Sequence, residues 1–215
     1  MIKGIIFDMD GVLVDSEEFI CKAACKMFEE KGSKVKPEDF LDFVGTGEDR
    51  YIGGVAEKYG IDLDIKEAKK RTYDIYLDII IGNLQPLEGV RDFIDMCKSK
   101  NLKLAVASSA DKRKVDGNLK EIGLQQSEFE AVICGEDVEH KKPSPDIFLL
   151  AAERIGVPAT ECIVVEDAVT GVTAAKKAGA ICLGLTSSFS AEELSEADMI
   201  AENLADALDK VEAIL

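Results

Sequence analysis

The chain carries a series of short apolar runs that do not alternate with polar residues: Gly4–Phe7, Leu102–Ala107, Ala131–Cys134, Cys162–Glu166 and Ile181–Leu185. Runs of this length and character predict strands buried on both faces. Between them the apolar positions recur at helical spacing. Val90, Phe93, Ile94 and Cys97 share one helix face, and so do Val115, Leu119 and Ile122, followed by Gly123. Phe148, Leu149, Ala152 and Ile155 repeat the pattern before Gly156. Strand and helix therefore alternate, which predicts an α/β fold: a Rossmann-like parallel sheet covered by helices.

One stretch breaks the alternation. From Ser16 to about Leu84 no strand is evident, while Phe19, Ile20, Ala23, Ala24, Met27 and Phe28 form one helical face ended by Gly32. Pro37 suits a helix start, Tyr51–Tyr59 and Ile65–Ile81 complete a set of about four helices, and Pro86 marks the return to the alternating pattern. The expected organisation is a core of residues 1–15 plus 86–215 with an all-helical cap, residues 16–85, inserted after the first strand. Packing of this block into one undivided domain is the alternative.

Composition narrows the picture. Hydrophobic residues make up 47% of the 215 positions and charged residues 32%, as in a soluble globular protein. The net charge of −16 argues against nucleic-acid and anionic-membrane partners, whose phosphates would repel it. No basic segment leads into an apolar one at the N-terminus, and no apolar run approaches the ~20 residues needed to span a bilayer. None of the six cysteines forms a C-x-x-C pair. They read as reduced thiols of a cytoplasmic protein, taken as a monomer by default.

The chemistry gathers where predicted strands end. Asp8 and Asp10 follow the first strand, and at spacing two their side chains leave an extended chain on one side. Gly11 then lets the backbone turn away. Two such carboxylates repel unless a cation or a shared proton relieves them. One can attack phosphorus and the other can move a proton; a pair of solvated turn aspartates fits the same spacing. Glu166 and Asp167 end a second apolar run and complete an oxygen-rich group suited to Mg²⁺. Ser108 and Ser109 end a third, where a hydroxyl and nearby amides can hold phosphate oxygens. Lys142 stands just before a predicted helix, placed to neutralise a phosphoryl group.

Taken together, D-M-D-G-V-L-V-D-S, V-A-S-S, K-K-P-S-P-D-I-F and V-V-E-D-A-V-T-G-V-T-A-A-K-K-A-G resemble, in order and over essentially the whole chain, the haloacid-dehalogenase superfamily. The nearest likeness is to its β-phosphoglucomutase-like and sugar-phosphate phosphatase branch. The resemblance implies a Mg²⁺-dependent phosphatase of a small phosphorylated metabolite. It gives Asp8 the role of nucleophile, Asp10 that of general acid/base, Ser108 that of phosphate-binding hydroxyl and Lys142 that of steadying the phosphoryl group. Glu166 and Asp167 become the metal-holding acids, with Asp8 and the Asp10 backbone carbonyl as further ligands. Gly45, Thr46 and Arg50 match a cap segment that contacts substrate, although a helix-start turn with a surface arginine explains them equally well.

Two departures separate the enzyme readings. β-Phosphoglucomutases carry a histidine where this chain has Ile20, and a lysine in the late cap where Ile75–Leu84 has none. A hexose-phosphate mutase is therefore the alternative, and a silent ligand-binding relative stands against the filled set of catalytic positions. His140, the sole histidine, lies beside the lysine motif and reads as an exposed loop residue.

Overall fold

In a computed structural model, which describes residues 1–43 and 47–215, the chain divides into two compact units: Met1–Asp15 with Gln85–Leu215, and Ser16–Leu84. The larger unit is built on six strands: β1 (Gly4–Phe7), β2 (Lys103–Ala107), β3 (Ala131–Ile133), β4 (Cys162–Glu166), β5 (Ile181–Leu185) and β6 (Met199–Ala201). All pair in parallel, in the order β3-β2-β1-β4-β5-β6. Five of these runs are the ones the apolar pattern predicts. β6 is not among them; it is a three-residue edge strand whose Met199 and Ile200 are only half-buried, too short to leave a periodic signal.

β1 is flanked by β2 and β4, so the strand order reverses beside it. Open α/β sheets bind ligands at such a switch point, outside the carboxyl ends of the strands. Successive side chains of β1 leave on opposite faces, and both faces are filled. Ile6 joins a cluster with Ala105, Phe148, Val164, Val172 and Cys182. Phe7 meets Phe93 and Phe129 edge-on, with ring centroids 6.0 and 6.4 Å away. The covering helices of this unit are α4 (Val90–Ser99), α5 (Lys112–Glu121), α6 (Asp146–Ile155), α7 (Val169–Ala178) and α8 (Leu204–Glu212). Gly156 and Gly179 end α6 and α7 in the left-handed conformation that a Cβ disfavours.

The smaller unit holds α1 (Glu17–Glu30), α2 (Glu48–Tyr59) and α3 (Ile65–Ile80). The segment opened by Pro37 forms a 3₁₀ helix, Pro37–Phe43, rather than a fourth α-helix. Its buried Phe40 stacks between Phe28 and Tyr51, at 6.1 and 4.7 Å between ring centroids. Asp39 fastens the same segment: its carboxylate accepts from the Lys36 amide at 2.8 Å and from the Tyr59 hydroxyl at 2.6 Å, and pairs with Lys58 at 2.8 Å. Asp64 caps α3 by accepting from the amides of Lys66 and Glu67. All six cysteines are free; Cys97, Cys134, Cys162 and Cys182 are buried, where desolvation holds each thiol well above its ordinary range. Among the described residues no helix is long and apolar enough to cross a membrane.

Candidate active site

Parallel registry brings the sequence-predicted residues to one sheet edge. Phe7 pairs with Val106 on one side and Val165 on the other, so Asp8 follows at the level where β2 gives way to Ser108 and β4 ends in Glu166. The Asp8 amide continues the ladder by donating to the Val165 carbonyl at 2.9 Å. The chain then closes a tight turn: Leu13 and Val14 donate to the Met9 carbonyl, and Gly11 donates to that of Val14. Gly11 has φ +77°, and a Cβ there would lie 1.8 Å from an Asp167 carboxylate oxygen. Only glycine allows this turn to lie against Asp167.

Lys142 is the hub of the site. Its Nζ lies 2.5 Å from Asp8 Oδ1 and 2.5 Å from Glu166 Oε1, and 4.8 Å from the centroid of the Phe148 ring beneath it. All three charged side chains are nearly lost to solvent: Lys142 at 8%, Asp8 at 11% and Glu166 at 1% exposure. The other Glu166 oxygen accepts from the amides of Asp167 and Ala168 at 2.9 and 3.0 Å. Gly171, one turn into α7, makes room for this carboxylate; a Cβ there would fall 1.9 Å from Glu166 Cδ.

These contacts set the charges. Burial alone would lower the Lys142 ammonium, but Asp8 and Glu166 together hold it above its usual range. Burial raises Asp8 to about 7; Lys142 opposes the rise and Glu166 adds to it. Asp167 is raised to about 8, again chiefly by burial, then by the charges of Glu166 and Asp8, while a hydrogen bond from Ser188 opposes.

Ser108 is buried after β2. Its amide donates to the Ile133 carbonyl at 3.0 Å and its Oγ accepts from the Ala110 amide at 3.1 Å, which fixes the turn that follows β2. Ser109 is half-buried, and its carbonyl packs so closely on Gly135 that a Cβ there would meet it at 2.1 Å. Lys141, next to Lys142, donates to the Gly135 carbonyl and so ties the lysine loop to the loop after β3. His140 Nδ1 and the Ser144 hydroxyl both bond Asp146, at 2.9 and 2.6 Å, which braces that loop as it enters α6.

The four acids do not all turn to one point. Asp10 faces Lys114, with Oδ2 2.9 Å from Nζ, and Glu166 is engaged by Lys142 and two amides. Among the described residues no three His, Cys, Asp or Glu side chains converge closely enough to hold an ion. The sequence placed these acids at strand ends but did not say which cation each one faces. The donor set still fits Mg²⁺. That ion commonly takes only one or two carboxylates and completes its shell with water and substrate phosphate. Asp8 and Asp167 are buried and oxygen-bearing, and both are raised first by burial and then by neighbouring carboxylate charge, which a cation would relieve.

Three residues were not singled out in the sequence. Lys114 reads there as one more surface lysine of an amphipathic helix. Ser187 donates to the Gly11 carbonyl at 2.5 Å, and Ser188 bonds Asp167. Their signal was present, since Ser187-Ser188 follows β5 much as Ser108-Ser109 follows β2. Of the residues expected to meet substrate in the helical unit, Gly45 and Thr46 lie outside the described residues. Arg50 is exposed, pairs with Glu57 at 2.7 Å and lies 5.1 Å over the Phe43 ring. Ile20 is buried.

Residues 5–185 match the model of the haloacid dehalogenase-like hydrolase family. The protein SUPPRESSOR OF QUENCHING 1, chloroplastic, of Arabidopsis thaliana is 44% identical over 201 residues, which is 91% of this chain but only 19% of that protein. A phosphorylated carbohydrates phosphatase of Thermotoga maritima is 34% identical over 82% of each chain. Among solved structures, CbbY from Rhodobacter sphaeroides in complex with phosphate superimposes with a TM-score of 0.88 at 26% identity, over 97% of this chain and 100% of that one. The chain belongs to the haloacid dehalogenase-like hydrolase family, in its sugar-phosphate phosphatase branch. It is an enzyme of the phosphoric monoester hydrolase class.

Proposed function

We propose that the protein hydrolyses a small phosphomonoester, a sugar phosphate by class, through a phosphorylated Asp8. The observation that carries this reading is the buried Asp8 carboxylate at the switch point of the sheet, held by Lys142, with the buried Ser108 just past the end of neighbouring β2. The relatives support it: one is named for phosphorylated carbohydrates, and CbbY is described with phosphate. In the proposed sequence an Asp8 oxygen attacks phosphorus and the bond to the leaving oxygen breaks. Asp10 gives that oxygen a proton. Asp10 then takes a proton from water as it attacks the phosphoryl-aspartate, releasing phosphate and restoring Asp8. Lys142 and the Ser108 hydroxyl hold the phosphoryl oxygens, and Glu166 holds Lys142. Mg²⁺, held by Asp8, Asp167 and the Asp10 carbonyl, supplies charge neutralisation when bound. The resemblance gives residues 16–85 the part of a substrate-selecting cap, and we assign them that part.

A phosphate-release screen over sugar phosphates, nucleotides and other phosphomonoesters with Mg²⁺ tests the reading, and turnover is expected within the sugar phosphates. Absence of release from every phosphomonoester would end it. β-Glucose 1-phosphate separates phosphatase from mutase. A mutase must shield its phosphoryl-aspartate from water, and the apolar Ile20 cannot move a proton where mutases carry a histidine. Free phosphate is expected to form faster than glucose 6-phosphate; the reverse order would establish the mutase.

The raised carboxylates give a metal-linked pH dependence. Unfolded, Asp8 and Asp167 titrate near the ordinary value of 3.8; folded and metal-free they titrate near 7 and 8. Between these limits the native state binds more protons, so stability falls as pH rises. Groups lowered by ion pairs, such as Glu128 at about 2, act in the opposite sense but finish titrating below pH 5. In EDTA the melting temperature should therefore drop from pH 5 to pH 8. Added Mg²⁺ should raise it more at pH 8 than at pH 5, while restoring activity that EDTA removes. A Mg²⁺ effect on melting that is equal at both pH values would refute the assignment of these two carboxylates.

A further inference from the structure

Lys114 stands in the first turn of α5 with its side chain only 5% exposed, and its Nζ lies 2.9 Å from Asp10 Oδ2. A buried ammonium is costly unless paired and hydrogen-bonded, so its place against this carboxylate is a specific use of the position. The two acids of the first motif are thus served by separate cations: Lys142 for Asp8 and Lys114 for Asp10. Their supports differ. Lys142 is shared with Glu166 and lies deep, whereas the Asp10 side chain is 24% exposed and sits on the turn after β1. A short carboxylate on a turn, partly open to water, can adopt other rotamers; a buried cation bonded to it favours one. A proton donor must stay within hydrogen-bond reach of the leaving oxygen, and small misplacements cost large factors in rate.

We propose that Lys114 is the positioning residue of Asp10, fixing its carboxylate for proton transfer to the leaving group. The inference rests on the reading of Asp10 as the general acid. It assigns Lys114 no contact with the phosphoryl group.

The leaving group provides the test. A sugar or alkyl oxygen needs a proton as it departs, whereas p-nitrophenolate leaves as a stable anion. kcat/KM should be measured with both kinds of substrate for the native protein, Asp10→Asn, Lys114→Met, Lys114→Arg and the Asp10→Asn/Lys114→Met double variant. Lys114→Met should lose about 100-fold on the sugar phosphate and less than about 5-fold on p-nitrophenyl phosphate, in line with the usual worth of general acid catalysis. Lys114→Arg, which keeps the charge, should regain at least about 10-fold of that loss. The double variant should be no slower on the sugar phosphate than Asp10→Asn alone, since a residue acting through Asp10 has nothing left to position. Equal loss on both substrates, or none on either, would overturn the proposal. So would a double variant slower than Asp10→Asn, a measurement that still decides if Lys114→Met folds poorly. If Asp10→Asn itself shows no bias between leaving groups, the acid reading of Asp10 fails first. A biased Asp10→Asn beside an unbiased Lys114→Met sinks the positioning role alone.

Discussion

Asp8→Asn is expected to lower turnover by several powers of ten while the protein stays folded. The amide nearly matches the carboxylate in shape but is a poor nucleophile, and loss of a covalent nucleophile removes a whole reaction path. The site should tolerate the change structurally. Lys142 keeps Glu166 as its partner at 2.5 Å, and the Asp8 amide bond to Val165 belongs to the backbone. The substitution also removes one of the buried negative charges whose burial and repulsion raise the remaining groups. In EDTA at pH 8 the variant should therefore melt at least as high as the native protein, and its melting temperature should fall less between pH 5 and pH 8. Phosphate release, paired with melting curves at the two pH values, checks both halves. Near-native turnover in a pure sample would rule out attack by Asp8.

Lys142→Met should damage both stability and activity. It leaves Asp8 and Glu166 as neighbouring buried carboxylates with their shared ammonium gone. Breaking a buried pair by removing one partner typically costs about 3–5 kcal/mol, because the remaining charge is uncompensated. The loss should be smaller at low pH, where protonation of Asp8 relieves the repulsion, so denaturation at pH 5 and pH 8 should show a wider gap from the native protein at pH 8. In activity, removal of one fixed charge facing the transferred group costs about 10²–10³ in kcat. Mg²⁺ should recover part of the stability but not the rate. A Lys142→Met protein as stable as the native one at pH 8 would contradict the ionised bridge.

The pattern of apolar runs made most of this architecture legible, because strands buried on both faces must be apolar without alternation. Ile5, Ile6, Val164 and Val165 are each fully buried. The same logic located the chemistry: Asp8, Ser108 and Glu166 are polar residues placed immediately at the ends of such runs. What stayed hidden depends on three-dimensional pairing. Nothing local distinguishes Lys114 from Lys112, yet the first is buried against Asp10 and the second is exposed beside Asp116. Nothing in V-V-E-D-A says that Glu166 would bond Lys142 and its own following amides while Asp167 lies against Gly11. Pro37 correctly marked a start but not the helix type, since the seven-residue Pro37–Phe43 segment is held by the Asp39 bonds rather than by helical propensity.

The place of β1 in the sheet has a consequence for how the protein is made. Among the six strands β1 comes first in the chain, yet it ends between β2 and β4, and its neighbours come from Lys103–Ala107 and Cys162–Glu166. Asp8 finds Lys142 only 134 positions further on, and Lys142 finds Glu166 another 24 positions beyond that. Until β4 emerges, β1 has one edge without its native partner, and the acid that holds the hub lysine does not yet exist. Contacts this distant in sequence are entropically expensive to close and slow to form. A nascent chain stopped before Cys162 would carry the first-strand acids and the lysine but neither β4 nor the Glu166 that holds Lys142, so chemical competence should arrive late. During that interval the apolar Ile5-Ile6-Phe7 segment is the part most in need of shelter from other chains.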